Sequence, residues 1–237
     1  MKSKITVVIP LTAGRESNVE KAVQSLWRQT ALPRGVRLAF YGSREERTYI
    51  RDVTTLGAVH LEKMGERGDF TRCRAINAGA RPVNTELMCI LDADCSLSPC
   101  ALADAQANVE KTGGLVGAPH FLIQPDGTSR RYPYNTRMVT GGFQVFKTED
   151  FRAVGGYNPF MMKWGFEDLD FVSRIRNLGR QISYLPYPYF HHWHEPAQDP
   201  KGEQENLKIS QTSKWTGEKW VRTDMNMNVI EEPDNEN

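Results

Sequence analysis

Two carboxylates stand one residue apart at the end of an apolar run, Leu87-Met88-Cys89-Ile90-Leu91-Asp92-Ala93-Asp94. The run has the composition of a strand buried on both faces. In open α/β sheets ligands bind beyond the carboxyl ends of the strands, and a period of two puts Asp92 and Asp94 on one side, roughly 6–7 Å apart. A hard divalent cation held there would bridge to diphosphate oxygens and neutralise charge on a leaving nucleoside diphosphate. The competing reading is a polar turn, with Ser96 or Ser98 capping the helix that follows. A second group, His191-His192-Trp193-His194-Glu195, gathers three of the five histidines. Imidazole is a common ligand of Mn-, Fe- or Zn-type ions. In an extended chain His192 and His194 share a face; in a turn His191 and His194 converge.

A third segment, Trp164-Gly165-Phe166-Glu167-Asp168-Leu169-Asp170, opens a helix with the apolar stripe Phe171, Val172, Ile175 and Leu178. Asp168 lies on that inward stripe at the positive end of the helix, where a carboxylate can project into a cleft and take a proton from a hydroxyl. Acids in a first turn are also favoured by the macrodipole alone, by about 0.3–1 kcal/mol each, and the same dipole lowers the carboxylate pKa. In Phe70-Thr71-Arg72-Cys73-Arg74-Ala75-Ile76-Asn77-Ala78-Gly79, Arg72 is placed to pair with the acidic pair or with a phosphate. Thr140-Gly141-Gly142-Phe143 offers backbone that a ligand can approach closely.

The elements that must position these residues alternate. Ile5–Pro10 reads as a buried strand, and Ser17 as the cap of a helix carrying Val19, Ala22, Val23 and Leu26. A strand over Val36–Tyr41, a charged helix from Arg44 to about Val53, and a short strand near Ala58–Leu61 follow. A helix from about Asp69 to Ala80 then precedes a strand over Glu86–Leu91. Strands alternating with helices predict an α/β fold with a mostly parallel sheet and helices on both faces. From about Gly113 the pattern is less regular, with β-like pieces at Leu115–Ile123 and Phe143–Phe146, the turn Pro125-Asp126-Gly127, and a helix from about Phe166 to Leu178 closed by Gly179.

Composition narrows the classes. With 237 residues, 30 Lys+Arg against 29 Asp+Glu and a net charge of +1, the chain does not bind nucleic acid through bulk charge. No apolar run approaches the roughly 20 residues that cross a bilayer, and the N-terminus lacks a signal-peptide core, so a soluble cytoplasmic protein is expected. Cys73, Cys89, Cys95 and Cys100 follow neither zinc-knuckle nor disulfide spacing and read as core or free thiols. The segment from Asp224 carries five acids and no Lys or Arg. Residues 223–237 are therefore expected to form an acidic, flexible tail, leaving a body of about +6 with a modest preference for anionic ligands.

In this order, from Ile5 to about Pro196, the segments resemble the GT-A glycosyltransferases, especially the family-2 inverting group, the β-1,4-galactosyltransferases and the polypeptide N-acetylgalactosaminyltransferases. The resemblance implies a GT-A domain over residues 1–222, with a nucleotide-sugar half to about 112 and an irregular acceptor half from about 113. Val7-Val8-Ile9-Pro10 resembles the first strand, whose loop touches the nucleotide, which implies Pro10, Leu11, Thr12 and Arg15 there. Phe70-x-Arg72-x-x-x-x-Asn77-x-Gly79 resembles the galactosyltransferase helix before the metal motif, and implies Arg72 and Asn77 at the donor. Asp92-Ala93-Asp94 resembles the DxD motif, in which the last Asp ligates Mn²⁺ and the first faces the nucleotide sugar. Gly141-Gly142 resembles the glycine pair near the donor sugar. Trp164-Gly165-x-Glu167-Asp168-x-Asp170 resembles the WGxEDxD segment, which implies Asp168 as general base, with Glu167 and Trp164 at the acceptor. His191-x-x-His194 resembles the late HxxH, which implies His194 on the metal with His191 beside it.

One departure is that Leu38–Ser43 carries none of the acids that family members place after the second strand, which leaves Tyr41 to stack on the base. Arg15 also stands one position later than the pattern. The implied activity is a Mn²⁺- or Mg²⁺-dependent, inverting, hexosyltransferase-type transfer from a nucleoside-diphosphate sugar, UDP-linked, to the hydroxyl of a glycan or other acceptor. The rivals are a non-catalytic nucleotide-sugar or glycan-binding domain and a metal-dependent hydrolase or nucleotidyltransferase.

Overall fold

A computed structural model describes residues 3–46, 59–65, 70–131, 141–194, 200–224 and 229–231. The first half runs β1 (Ile5–Thr12), α1 (Glu16–Trp27), β2 (Gly35–Tyr41), β3 (Val59–Gly65), α2 (Arg72–Ala80), β4 (Leu87–Leu91), β5 (Cys95–Ser96) and α3 (Ala101–Thr112). The second runs β6 (Leu115–Gly117), β7 (His120–Ile123), β8 (Ser129–Arg131), β9 (Phe143–Lys147), α4 (Thr148–Ala153), α5 (Glu167–Asn177), β10 (Ile182–Tyr184) and β11 (Tyr189–His192). It closes with α6 (Pro200–Thr212), β12 (Ser213–Trp215), β13 (Trp220–Thr223) and β14 (Val229–Glu231).

Seven strands form the main sheet in the order β10-β6-β9-β4-β1-β2-β3. β1 lies parallel to β2 and β4, while β9 runs antiparallel to β4 and β6. The unbroken apolar runs of β1 and β4 follow from burial on both faces. Ile5, Val7, Ile9, Leu87, Cys89 and Leu91 pack with Val19, Val23 and Leu26 of α1 and Leu102 and Val109 of α3. The alternate residues Val8, Met88 and Ile90 pack with Ile76 of α2 and Phe171, Val172 and Ile175 of α5. Each such side chain contributes roughly 1.5–3 kcal/mol on burial. Chain order reverses between β1 and β4, so a crevice opens at their carboxyl ends, where Thr12 and Asp92 emerge.

Several boundaries differ from expectation. α1 starts at Glu16 with Arg15 at its N-cap and no side-chain capping bond, so Ser17 lies inside the helix. Thr71 caps α2 by accepting from the Arg74 backbone N–H, and the helix starts at Arg72. β1 runs on through Leu11 and Thr12, which pair with Phe40 and Tyr41. The single piece expected over Leu115–Ile123 divides at Ala118-Pro119, because proline has no N–H for a ladder. β6 therefore stays in the main sheet, whereas β7 enters a four-stranded sheet of order β5-β11-β7-β8. Most of the helix expected from Arg44 to Val53 lies outside the described residues. In the segment expected to be a flexible tail, Val229–Glu231 pairs antiparallel with β13, its β-branched Val-Ile pair suiting a strand.

Cys73, Cys89 and Cys95 are buried thiols and Cys100 an exposed one, none in a disulfide. Among the described residues no helix is long and apolar enough to cross a membrane. Asn77 ties α2 to the chain ahead of α5: its amide donates to the Tyr157 carbonyl and accepts from the Tyr157 N–H, both at 2.8 Å. Tyr157 is fully buried, so Asn77→Ala leaves two backbone groups unpaired. Urea unfolding of that variant is expected to show a loss of about 2–4 kcal/mol.

Candidate active site

The crevice holds a cleft of about 330 Å³ lined by Pro10, Thr12 and Arg15 from the end of β1, by Phe70, Thr71 and Arg72 at the start of α2, and by Asp92, Ala93 and Asp94 after β4. Met162, Lys163, Trp164 and Glu167 form one wall, and His191 and His194 another. Asp92 and Asp94 do not continue the strand. Cys95 N–H donates to the Asp92 carbonyl at 3.0 Å, and Asp92 N–H to the Gly142 carbonyl at 3.1 Å. The resulting turn sends the two carboxylates to different partners.

Asp94 meets the histidines. Its Oδ2 lies 3.1 Å from His194 Nε2 and its Oδ1 3.4 Å from His191 Nε2. β11 pairs with β5 so that His191 stands opposite Cys95, while the His192 N–H donates to the Asp94 carbonyl at 2.8 Å. After His192 the strand ends, and the turn brings His191 and His194 together with ring centroids 5.1 Å apart. His192 faces away and bonds Ser96 Oγ at 3.0 Å. One ligand atom each from Asp94, His191 and His194 falls within 4.8 Å of the others. Burial works against the charged form of Asp94, but the His194 hydrogen bond and the two imidazoles outweigh it and hold its carboxyl at about 2. Burial pushes His191 down toward the neutral, ligating form. One hard carboxylate with two imidazoles suits a Mn-type cation of borderline softness, so the residues present fit the expected metal.

Asp92 meets Arg72 instead. Arg72 Nε donates to Asp92 Oδ1 at 2.9 Å, Nη1 to Asp168 Oδ1 at 2.8 Å and Nη2 to the Gly141 carbonyl at 2.8 Å. Burial raises the Asp92 carboxyl and the charges of Asp94 and Asp168 add to that, while Arg72 pulls the other way. Asp168 sits one layer behind the cleft wall. Its Oδ1 also lies 3.1 Å from the Tyr157 hydroxyl and 3.5 Å from Gln144 Nε2. A Cβ on Gly141 would stand 1.7 Å from Asp168 Oδ2. Gly141 is therefore the residue that leaves room for this carboxylate. Its neighbour Gly142 makes room for Tyr189 and Cys95, 2.7 and 2.9 Å from where its Cβ would be.

Glu167 faces the cleft, and its buried Oε2 has no hydrogen-bond partner. Burial first, and then Asp168 next to it, push its carboxyl up to about 7, with Arg72 opposing. The entry to α5 bends sharply through Gly165 at φ 95° and Phe166 at φ 69°, which is the one positive-φ residue other than glycine among the described residues. Such a conformation costs of order 1–3 kcal/mol and persists where packing holds it; here the Phe166 ring packs on the core.

Of the residues singled out in the sequence, Pro10, Thr12, Arg15, Arg72, Asp92, Ala93, Asp94, Trp164, Glu167, His191 and His194 meet in the cleft. Asp168, Gly141 and Gly142 lie directly behind it. Leu11 is 1% exposed and belongs to the core under β1. Tyr41 is 4% exposed and packs edge-on to Phe70, with ring centroids 5.7 Å apart, which removes its ring face from a base. Asn77 holds Tyr157. Sequence reasoning missed the cleft residues Met162 and Lys163, and the Tyr157–Gln144 pair that supports Asp168. Gln144 carried a signal: a glutamine among Phe143, Val145 and Phe146 on a buried strand marks an internal hydrogen-bond network.

Residues 120–195 match a family model described as the N-terminal domain of galactosyltransferase. No curated protein matches the sequence at a significant level. Among solved structures, GalNAc-T7 with UDP, GalNAc and Mn²⁺ aligns over 86% of this chain and 47% of its own, at 18% identity and a TM-score of 0.67. TarS 1-349 from S. aureus aligns over 81% of this chain and 60% of its own, at 14% identity and a TM-score of 0.65. The mannosyltransferase PcManGT from Pyrobaculum calidifontis, in complex with GDP-Man and Mn²⁺, aligns over 90% and 61%, at 16% identity and a TM-score of 0.63. The chain thus has the GT-A fold, and it spans less than two thirds of the length of each of these proteins.

The position of Glu167 has a consequence for stability. In the native state its carboxyl keeps a proton up to about 7, whereas in the unfolded chain it releases it near 4.5. A raised carboxyl pKa favours folding at low pH, and that contribution is lost as pH rises from about 4.5 to about 7. Glu167→Gln removes the titration. Denaturation profiles at pH 4.5 and pH 7.5 are expected to show the variant gaining on the parent by on the order of 2–3 kcal/mol at the higher pH.

Proposed function

We propose that this cleft moves a hexosyl group from a nucleoside-diphosphate sugar, with UDP as the nucleotide, to an acceptor hydroxyl with inversion at the anomeric carbon. The observation that carries the reading is the convergence, in one cleft at the switch point of a GT-A sheet, of the Asp94–His191–His194 set with Glu167 and, just behind it, Asp168. The Mn²⁺ and nucleotide named for the neighbouring structures support it. Asp94, His191 and His194 would hold the divalent cation. When bound, that ion supplies positive charge to the diphosphate and stabilises the leaving group.

The chain's own residues account for the rest. Arg15, at the cleft end of α1, adds a fixed charge on the diphosphate side. Asp92, held by Arg72, presents its remaining carboxylate oxygen to the donor sugar. Asp168, oriented by the hydrogen bonds that Arg72 and Tyr157 donate to its Oδ1, takes the proton from the attacking hydroxyl. Glu167 and Trp164 orient the acceptor, Glu167 through its unpartnered Oε2 and Trp164, 46% exposed, through its apolar ring face. Direct displacement with one base inverts the centre and needs no covalent intermediate. A second reading makes Glu167 the base, favoured by its place on the cleft wall and a carboxyl near 7, the range suited to proton abstraction at neutral pH.

Calorimetry with UDP and GDP, with and without Mn²⁺, is expected to give metal-dependent binding of UDP that weakens at least about tenfold in Asp94→Ala. Asp168→Asn is expected to lower transfer by about 10²–10⁴ with that binding unchanged. Retained turnover in Asp168→Asn, together with its loss in Glu167→Gln, moves the base to Glu167. Binding without transfer to any acceptor favours a binding domain, and release of free sugar regardless of acceptor favours a hydrolase.

A further inference from the structure

The acceptor end of the cleft is built on three consecutive residues. Met162 and Trp164, 47% and 46% exposed, flank Lys163, and all three line the cleft beside Glu167. Their backbone is clamped from behind. Asn206 of α6, fully buried, donates from Nδ2 to the Lys163 carbonyl at 2.9 Å and the Gly165 carbonyl at 2.7 Å. The lysine is thus presented by a held loop, and only its side chain has to order around a ligand.

Arg15, at the N-cap of α1, also makes no ion pair among the described residues and serves the donor diphosphate; the remaining charges of the cleft wall have counterparts. Arg72 is spent on Asp92, Asp168 and Glu167. Asp94 faces the two histidines. Lys163 makes no ion pair among the described residues. A further cation, Arg130, lies on the four-stranded sheet that carries His191. His191 pairs with Leu122 on β7, and Leu122 with Arg130 on β8. Residues paired across strands share a face, so Arg130 lies on the face that carries His191, two strand spacings or roughly 10 Å away. Arg130 is exposed. The protonated tendency of Glu167 leaves this end of the cleft with less negative charge to offset the lysine.

We propose that the acceptor is an anionic carbohydrate, whose reacting hydroxyl lies near a carboxylate or a phosphodiester, with Lys163 binding that anion and Arg130 extending the cationic track outward. This rests on the glycosyl-transfer reading. A lysine ammonium serves either anion as a point charge, and Trp164 and Met162 receive an apolar ring face.

The test uses the full chain with UDP and Mn²⁺. Saturation-transfer NMR would titrate a panel of oligosaccharides in matched pairs: uronate-terminated against carboxyl-reduced, and glycerol-phosphate-bearing against dephosphorylated. The expected result is binding by anionic members, about tenfold tighter than their neutral partners, lost in Lys163→Gln and restored in Lys163→Arg. Which anionic set binds distinguishes carboxylate from phosphodiester. Equal binding of neutral partners, binding by no anionic member, or an anion preference that survives in Lys163→Gln would each overturn the proposal. So would a Lys163→Gln variant that loses UDP–Mn²⁺ affinity instead, since the lysine would then serve the donor. UDP–Mn²⁺ calorimetry on the same samples separates the two levels. Without that binding the transferase reading itself fails; with it intact, only the acceptor assignment is at stake.

Discussion

One guanidinium holds the site together. Arg72, at the first position of α2, uses Nε, Nη1 and Nη2 on three different segments: the turn after β4, the start of α5 and the approach to β9. Its carbon also lies 5.5 Å from the centroid of the Tyr157 ring. Only arginine offers that many donors in a fixed plane while staying charged. Burial costs the cation, yet Asp168 and Asp92 more than restore its charged form, so its pKa is raised well above the ordinary value. Taken away, it would leave carboxylates from two elements facing each other without a counterion, the costly half of a broken buried pair. The Thr71 cap sets the first turn of α2 and with it the direction in which this side chain leaves.

The proposed metal-ligand set depends on strand pairing. Asp94 comes from the main sheet's edge of the crevice, and His191 and His194 from the far end of the chain. The short antiparallel contact of β5 with β11 joins them, Cys95 opposite His191 and Ser96 opposite Phe190. A slip of one residue there would turn His192 toward Asp94 and His191 toward Ser96. Ser96 and His192, bonded on the opposite face, help to pin that register.

Behind α5, the last segments act as a brace. Arg174 pairs with Asp170 at 2.7 Å, Ser210 of α6 donates to the same carboxylate at 2.7 Å, and the guanidinium lies 4.8 Å from the Trp220 ring centroid. Trp220 Nε1 donates to the Gly155 carbonyl at 2.7 Å, and Trp215 packs where a Cβ on Gly155 would stand. Through Asn206 the same helix reaches the loop that carries Trp164. Packing remote from the cleft therefore sets where its Met162–Trp164 wall lies.

The βαβ alternation, the buried strands ending at Asp92 and Thr12, and the acidic opening of α5 were legible because burial on both faces writes continuous apolar runs and helices write a period near 3.6. Asp94, His194, Glu167 and Asp168 could be singled out because their residue types can hold a cation or take a proton and because, in chain order, their segments resemble those of one family; each short motif by itself also fits a turn or a helix start. Whether His191 or His192 joins Asp94 was undetermined by spacing, since it turns on a register between segments some hundred residues apart in sequence. Tyr41 and Leu11 were placed at the ligand by position along the chain, yet β1 and β2 run on together and pair Leu11 with Phe40, leaving both side chains in the core. Lys163, Tyr157 and Gln144 acquire their places only once α6, β9 and α5 have packed. By itself the sequence determined the alternation of strands and helices and which residue types stand at the strand and helix ends where chemistry could be carried. The tertiary structure decided which oxygen meets which nitrogen, because hydrogen bonds a few ångströms long between distant segments depend on packing and register, which local spacing does not encode.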